Sequence, residues 1–261
     1  MKTAVNYLKI TEVTDDLVSR EQVQRSCDRY YWAKQFCKEK IVLEVGCGTG
    51  QGLGYLSKVA QRFVAGDFSL DILKVAKRHY GSRADLFQFD AQYLPFANNS
   101  MDVIILFEAI YYVPDADRFI KECRRMLKPN GKVLIATANK DLADFNPSPH
   151  TYQYFGVLEL HEIFDKNGFS TQFFGNTLVS NLSFIQRLSR PLKQLAVNLN
   201  LMPKTADGKK WLKRIIFGKL VKMPGEIKEG MGFYNHPSPL SYQMVDKDHK
   251  VIYCAANLLK K

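Results

Sequence analysis

The sequence predicts an α/β fold in which short buried strands alternate with helices. The clearest strand is the run 41–46, which is apolar apart from one acid and leads into a glycine-rich turn. An apolar run bounded by glycines is typical of a buried parallel strand. Similar runs predict strands near 62–67, 85–90, 102–107 and 132–138, with helices near 14–37, 51–60, 70–80, 115–127 and 157–167.

Polar residues mark the starts of three of these helices. Thr14, Asp15 and Asp16 form an N-terminal cap region for the first helix, and Ser69 is an expected N-cap for the helix near 70–80. Asp115 opens the helix near 115–127, which ends with basic residues, as the helix dipole favours. These signals predict where the helices begin.

Length, composition and cysteine usage limit the class of protein. A chain of 261 residues with 46% hydrophobic residues suits one globular α/β domain with elaborations. It has no run of about 18 apolar residues, and its first seven residues lack the apolar core of a signal peptide. The five cysteines form no C-x-x-C pair, which favours reduced thiols and a cytoplasmic location. They are Cys27, Cys37, Cys47, Cys123 and Cys254.

The turn that follows the first strand predicts a nucleotide-like ligand at that strand's carboxyl end. Its glycines, Gly46, Gly48 and Gly50, allow a sharp turn and a close approach of a ligand to the backbone. No lysine stands near Gly50, which excludes a P-loop, and Gln51 occupies the third glycine position of a dinucleotide fingerprint. Glu44 suits a ligand that carries an ammonium and a sulfonium better than one that carries a pyrophosphate.

Three later motifs follow this turn in order. Asp67 ends the second strand about twenty residues past the glycines, where Rossmann-like folds place the carboxylate that holds ribose hydroxyls. The stretch 90–96 begins Asp-Ala and ends Leu-Pro-Phe. A Leu-Lys-Pro-Asn-Gly turn at 127–131 leads into the fifth strand, and Asn130 tolerates the left-handed conformation that such a turn needs.

Together these motifs resemble those of the class I S-adenosylmethionine (SAM)-dependent methyltransferases, in the small-molecule branch with a type 11 methyltransferase domain. The resemblance implies a Rossmann-like, doubly wound, seven-stranded sheet with an antiparallel last strand. It implies SAM as cofactor and S-adenosylhomocysteine (SAH) as product. No cluster of metal ligands is visible in the sequence, which argues against a magnesium-dependent type. It assigns Asp90 to the adenine amino group and places Phe68 against the adenine. The implied cofactor contacts are Glu44, Gly46, Cys47, Gly48, Gly50, Asp67, Phe68, Asp90, Ala91 and Phe107.

The segment after the fourth strand holds the first candidates for catalysis. Glu108 follows that strand at the edge where open α/β sheets bind ligands, and Tyr111 or Tyr112 would shape the acceptor pocket. Glu108 is the candidate general base for a hydroxyl acceptor, and the alternative is that it contacts SAM or caps the next turn. His150 is a second candidate base, although a lone loop histidine is more often incidental.

The two ends of the chain carry elaborations of this core. Residues 1–39 form an N-terminal helical cap, in which Tyr30 or Tyr31 either closes the cofactor pocket or packs on the core. The SAM-binding core spans 40–176 and ends with a sixth strand at 169–175, and 248–261 contains the seventh, at 251–256. The 177–247 insert between them is too long for a simple connection and is rich in apolar residues. It is predicted to be a mostly helical lid or a subunit interface, and a homodimer remains open.

The net charge of +11 is concentrated in one part of the insert. Residues 204–222 hold seven Lys or Arg and one acid, and their apolar residues could share one helical face. Such a helix lies on an anionic membrane surface at the inner side of the membrane, attracts an anionic substrate, or simply presents a solvated face. Nucleic acid is not an expected partner, because no zinc module or single-strand-binding motif is present.

The predicted activity is the transfer of a methyl group to a hydroxyl or an amine of a small or medium-sized acceptor. A sugar, or an anionic or lipid-linked glycan precursor, would use both a large lid and a basic patch. Two alternatives stay open: methylation of an apolar metabolite of the polyketide or quinone type, and a SAM-binding partner subunit without catalysis.

Overall fold

A computed structural model describes residues 7–9, 11–148, 150–179 and 220–259, and its centre is a mixed sheet of eight strands. In order across the sheet these are β4 (Asp85–Gln88), β3 (Arg62–Asp67), β2 (Ile41–Val45), β5 (Met101–Phe107), β6 (Leu127–Ala138), β10 (His249–Leu258), β7 (Phe169–Leu178) and β9 (Ser238–Leu240).

The strand directions confirm the predicted doubly wound sheet. Strands β4, β3, β2, β5 and β6 pair in parallel, and β10 pairs antiparallel with both β6 and β7. The strand order reverses between β2 and β5, so their carboxyl ends form the crevice where such sheets bind ligands. The eighth strand, β9, adds a short antiparallel edge beyond the predicted seven.

Five α-helices flank the sheet among the described residues, and the predicted caps hold for two of them. The Ser69 side chain accepts from the amide of Ile72, and Asp115 accepts from the amide of Arg118 at 3.0 Å. The helices are α1 (Arg20–Cys37), α2 (Leu53–Leu56), α3 (Leu70–Tyr80), α4 (Ala116–Met126) and α5 (Val157–Asp165).

Two predicted helix boundaries are wrong. Helix α1 begins at Arg20 rather than 14, because Ser19 and Gln22 form a capping box there. Residues 14–18 instead form a turn, in which Asp15 has a φ of 69°, and then the short strand β1 (Leu17–Val18), which pairs with β8 (Val221–Lys222). The Thr14 hydroxyl meets that of Thr49 at 3.0 Å. The helix predicted over 51–60 is the single turn α2.

The core lies on both faces of the sheet because successive strand residues point to opposite sides. Leu43 and Ile104 face the cluster that contains α4 and α5, whereas their neighbours Val42 and Val103 face the cluster that contains α1. Strands buried on both faces read as continuous apolar runs. This explains why the central strands were recognisable from the sequence.

The described part of the predicted insert is not helical. Residues 220–247 contain only the short strands β8 and β9 and connecting loops. The rest of the insert, 180–219, and with it nearly all of the basic segment 204–222, lies outside the described residues. The helical lid and its membrane or substrate contacts therefore stay predictions for that part. No helix in the part of the chain that the structure describes is long and apolar enough to span a membrane.

The packing of α1 on the sheet can be tested by a substitution at Gly52, which precedes α2. A Cβ atom at this position would overlap the ring of Tyr30, and such overpacking typically costs about 1–3 kcal/mol. We expect Gly52→Ala to lower the free energy of unfolding by that amount in urea titrations. The exposed Ser57→Ala is the control and should change little; equal stability of the two variants would contradict the packing.

Candidate active site

A cavity of about 660 Å³ opens at the carboxyl edge of the sheet, where the strand order reverses. Its walls come from the loops after β2 to β6, from α1 between Gln22 and Tyr30, and from the N-terminal segment that contains the 3₁₀ turn Tyr7–Lys9. The predicted site residues that line it are Gly46, Cys47, Gly48, Asp67, Phe68, Asp90, Ala91, Phe107, Glu108 and Tyr111. The cavity therefore brings together the predicted cofactor and acceptor residues.

The glycine turn after β2 forms one wall through its backbone. Gly46, Gly48 and Gly50 all have positive φ, at 67°, 58° and 88°, a conformation that glycine adopts without strain. A Cβ on Gly48 would make an ordinary contact with Thr11 at 3.6 Å, and Gly48 lines the cavity. Gly50 does not line the cavity; it packs against Leu53 and Tyr80, and its role is to make the turn.

Asp67 closes this wall from the end of β3. Its carboxylate oxygens accept from the amides of Ser69, at 2.9 Å, and Gly48, at 3.1 Å. Burial raises the pKa of Asp67, and these amide bonds oppose the rise. Each oxygen of an ionised carboxylate has two acceptor positions. The carboxylate therefore keeps acceptor capacity for hydroxyls of a ligand.

Asp90, Phe68 and Tyr7 continue the same side of the cavity. The Asp90 carboxylate accepts from the amide of Gln92 at 2.8 Å. Phe68 is 57% exposed, and the Tyr7 ring meets it edge-on with centroids 6.0 Å apart. Tyr7 also meets Tyr112 edge-on at 6.3 Å. The N-terminal segment thus lies across the cavity mouth, which no local sequence signal had indicated.

The placement of Glu44 differs from the predicted cofactor contact. Its side chain points to the α1 face of the sheet, is 1% exposed, and does not line the cavity. The Tyr30 hydroxyl donates to Glu44 Oε1 at 2.7 Å, while Oε2 has no partner. Burial raises the pKa of Glu44 to about 7, although Tyr30 and Arg29 lower it. Glu44 therefore supports Tyr30, which does line the cavity.

Glu108 stands at the opposite wall, directly after β5. Its backbone has a positive φ of 51°, and its amide donates to Ala136 O at 2.7 Å. The Tyr111 hydroxyl donates to Glu108 Oε2 at 3.1 Å, and Arg29 Nη1 lies 4.0 Å from Oε1. Burial raises the pKa of Glu108, and the charges of Arg29 and Arg25 oppose the rise.

Several lining residues were missed by the sequence analysis because α1 was treated only as a cap. Arg25 and Arg29 are four residues apart, so they share a helix face, but nothing local shows that this face covers the sheet edge. The lining residues not predicted include Tyr7, Thr11, Glu12, Gln22, Arg25, Arg29, Ser148 and Tyr152.

The remaining candidates are placed away from reactive roles. His150 is exposed and lies outside the cavity. Cys47 lines the cavity, but burial raises the pKa of its thiol well above the usual value, which suits a packing residue. All five cysteines are free and buried. Among the described residues, no three His, Cys, Asp or Glu side chains are grouped as a metal site.

The buried Glu44 makes the stability depend on pH in a defined direction. Its pKa is about 7 when folded and 4.5 ordinarily, so the folded chain holds an extra proton between these values. Its contribution to the free energy of unfolding therefore falls as pH rises from 4.5 to 7. Relative to the wild type, the free energy of unfolding of Glu44→Gln should therefore rise by about 3 kcal/mol over this pH range, because one pKa unit corresponds to 1.36 kcal/mol.

Urea titrations of both proteins at several pH values between 4 and 8 measure this difference. The subtraction removes the contribution of the other titrating groups, provided that they are unaffected by the substitution. A difference that stays constant across this range would show that folding does not raise the pKa of Glu44.

Comparisons with known proteins agree with the geometry. Residues 43–135 match the methyltransferase domain family of type 11. A probable S-adenosylmethionine-dependent methyltransferase of Mycolicibacterium smegmatis is 30% identical over 142 residues, which are 52% of this chain and 54% of that protein. The demethylmenaquinone methyltransferase of Renibacterium salmoninarum is 34% identical over 125 residues, 48% of this chain and 52% of that protein.

The YcgJ protein of Bacillus subtilis shares the fold, with a TM-score of 0.57 and 17% identity over 89% of this chain and 99% of that one. The chain spans about half the length of the curated relatives it matches. The matched residues run from β2 into β6 and contain the glycine turn, Asp67, Asp90 and Glu108. Residues 43–135 are therefore similar to the class I SAM-dependent methyltransferases, a family whose cofactor is SAM.

Proposed function

We propose that this chain transfers the methyl group of SAM to a hydroxyl of a small polar acceptor. The observation that carries the proposal is that Gly48, Asp67, Glu108 and Arg29 all line one cavity. One wall suits a nucleoside ligand, and the other supplies a carboxylate beside a place for a second ligand.

The first wall fits the cofactor. The Gly48 backbone and the Asp67 carboxylate both line the cavity, which is what a ribose next to the turn requires. Asp90 and Ala91 would meet the adenine edge, and Phe68 would lie against its face. When bound there, SAM supplies an electrophilic methyl group on a positively charged sulfur, and SAH is left after the transfer.

The second wall fits a hydroxyl acceptor. The Glu108 carboxylate is held by the Tyr111 hydroxyl and faces the Arg29 guanidinium, which orients it without a hydrogen bond from Arg29. In its ionised form it would take the proton of the acceptor hydroxyl as the oxygen forms its bond to the methyl carbon. A buried carboxylate with a raised pKa is a stronger base than an exposed one.

The wall chemistry favours a polar acceptor over an apolar one. Arg25, Arg29, Glu12, Gln22 and Glu108 all line the cavity, and packing an apolar ring against the two guanidinium groups would bury their charge without a new partner. A sugar or a glycan precursor presents the hydroxyls that such a wall can bind. The quinone named for one relative is the alternative acceptor, and a SAM-binding subunit without catalysis is the other alternative.

The cofactor side is tested by calorimetric titration with SAH. Asp67→Ala should weaken SAH binding by about tenfold or more, because it removes charge-assisted hydrogen bonds to the ribose. Asp71→Ala, on the exposed start of α3, is the matched control and should bind like the wild type. If the wild type does not bind SAH, or if Asp67→Ala binds equally well, the proposed cofactor site is wrong.

The acceptor side is tested with an acceptor found by screening hydroxylated compounds with radiolabelled SAM. We expect Glu108→Gln to lower kcat by about 10²–10⁴-fold, the range for loss of a general base. Because the Tyr111 hydrogen bond lowers the pKa of Glu108, Tyr111→Phe should move the acid limb of the kcat profile to higher pH.

Both variants should keep the wild-type affinity for SAH, which separates loss of the base from loss of the cofactor. Full activity of Glu108→Gln, or an unshifted acid limb in Tyr111→Phe, would remove Glu108 from the role of base.

A further inference from the structure

We propose that Arg25 and Arg29 form a subsite for an oxyanion of the acceptor, either a carboxylate or a phosphate. The inference rests on the proposed function, because it names the acceptor class for the same cavity. It requires an acceptor that carries a negative group close to the hydroxyl that is methylated.

The two side chains reach the cavity together. They lie four residues apart on α1, so they are stacked on one face of the helix, and both line the cavity wall. The Nε atoms of both guanidinium groups are buried and have no hydrogen-bond partner. A buried N–H group without an acceptor is rare in folded proteins and indicates a missing partner.

The neighbouring carboxylates do not supply that partner. Arg25 Nε lies 3.9 Å from Glu21 Oε1, and Arg29 Nη1 lies 4.0 Å from Glu108 Oε1. Both distances exceed the range of a hydrogen bond. Glu21 instead accepts from Lys250 at 2.7 Å.

The other polar neighbours are also engaged elsewhere. Glu12 accepts from Gln22 Nε2 at 2.7 Å. The contact that Arg29 does make is from Nη2 to the Ser26 hydroxyl, at 3.3 Å. The Nε–H groups themselves are shielded by protein, so a ligand in the cavity would be bound by the Nη groups at the ends of the two side chains.

The chemistry of the pair selects an oxyanion. A guanidinium presents its N–H groups as a planar fork that matches the two oxygens of a carboxylate or phosphate. Two stacked forks would hold such a group beside Glu108, so the anion would also orient the acceptor hydroxyl toward the proposed base.

The experiment uses the whole chain saturated with SAH and measures binding by calorimetry. The probes are glucuronate, glucose 1-phosphate and inorganic phosphate, with glucose as the neutral control. We expect at least one anion to bind about tenfold more tightly than glucose, and Arg25→Gln and Arg29→Gln each to remove about tenfold of that affinity. Arg20→Gln, exposed on the same helix, should change nothing.

The two anion sources are separated by the probes. Tighter binding of glucuronate assigns the subsite to a carboxylate, and tighter binding of glucose 1-phosphate assigns it to a phosphate. Arg29 is largely buried, so its replacement also disturbs packing. Arg25→Lys is therefore a second variant, which keeps the charge at the more exposed position. It should retain part of the affinity, since lysine lacks the fork.

Three results would overturn the inference. In the first, none of the anions binds more tightly than glucose. In the second, Arg25→Gln and Arg29→Gln bind the anions with the affinity of the wild type. In the third result, Arg25→Gln and Arg29→Gln weaken SAH but not 5′-methylthioadenosine, which lacks the carboxylate of SAH; the arginines then serve the cofactor. Failure of the wild type to bind SAH would instead reject the proposed cofactor site, so the two failures are distinguishable.

Discussion

The hydrogen bond from the Tyr30 hydroxyl to Glu44 joins the two halves of the site. Glu44 lies in the central strand β2, and Tyr30 lies midway along α1, with its ring directly over Gly52. This contact holds α1 against the carboxyl edge of the sheet. It thereby helps to set the position of Arg29, one residue away in the chain, whose Nη1 lies 4.0 Å from Glu108 Oε1.

The N-terminal segment before α1 depends on the same arrangement. Thr14 bonds to Thr49, and the side chain of Gln51 donates to Glu12 O at 2.8 Å, so the segment is attached directly to the glycine turn. Its other side pairs with β8, while the amide of Ile227 donates to Gln51 O. Gln51 is thus bonded to segments from both ends of the chain, which explains a polar residue where a dinucleotide-binding turn has glycine.

Local signals predicted the parts of the fold that local forces determine. The strands β2, β3 and β5, the Ser69 and Asp115 caps and the left-handed Asn130, with a φ of 65°, depend on a few neighbouring residues. Two other features depend on contacts between distant segments: the side of the sheet to which the Glu44 side chain points, and the residue at which α1 begins. The pattern of apolar residues could not reveal these contacts, because it records burial and not the partner.

The acceptor side shows the same division between local and distant causes. Glu108 was found from its position after a strand, but its positive φ was not, because a glutamate rarely adopts that conformation unaided. Two contacts stabilise it: the Glu108 amide bonds to Ala136 O, and Gly46 packs so closely on Ala109 that an added Cβ would lie 2.9 Å from it. Backbone strain of this kind is stored mainly at functional sites.

The close approach of Gly46 to Ala109 gives that glycine a second role. It allows the turn after β2, and it also allows the loop after β5 to lie against that turn. A side chain at position 46 would push Glu108 away from the wall that holds Asp67. The separation between the two walls of the cavity therefore depends on the absence of one Cβ atom. The glycine turn is usually explained by cofactor binding, but in this chain Gly46 also positions Glu108, the proposed base.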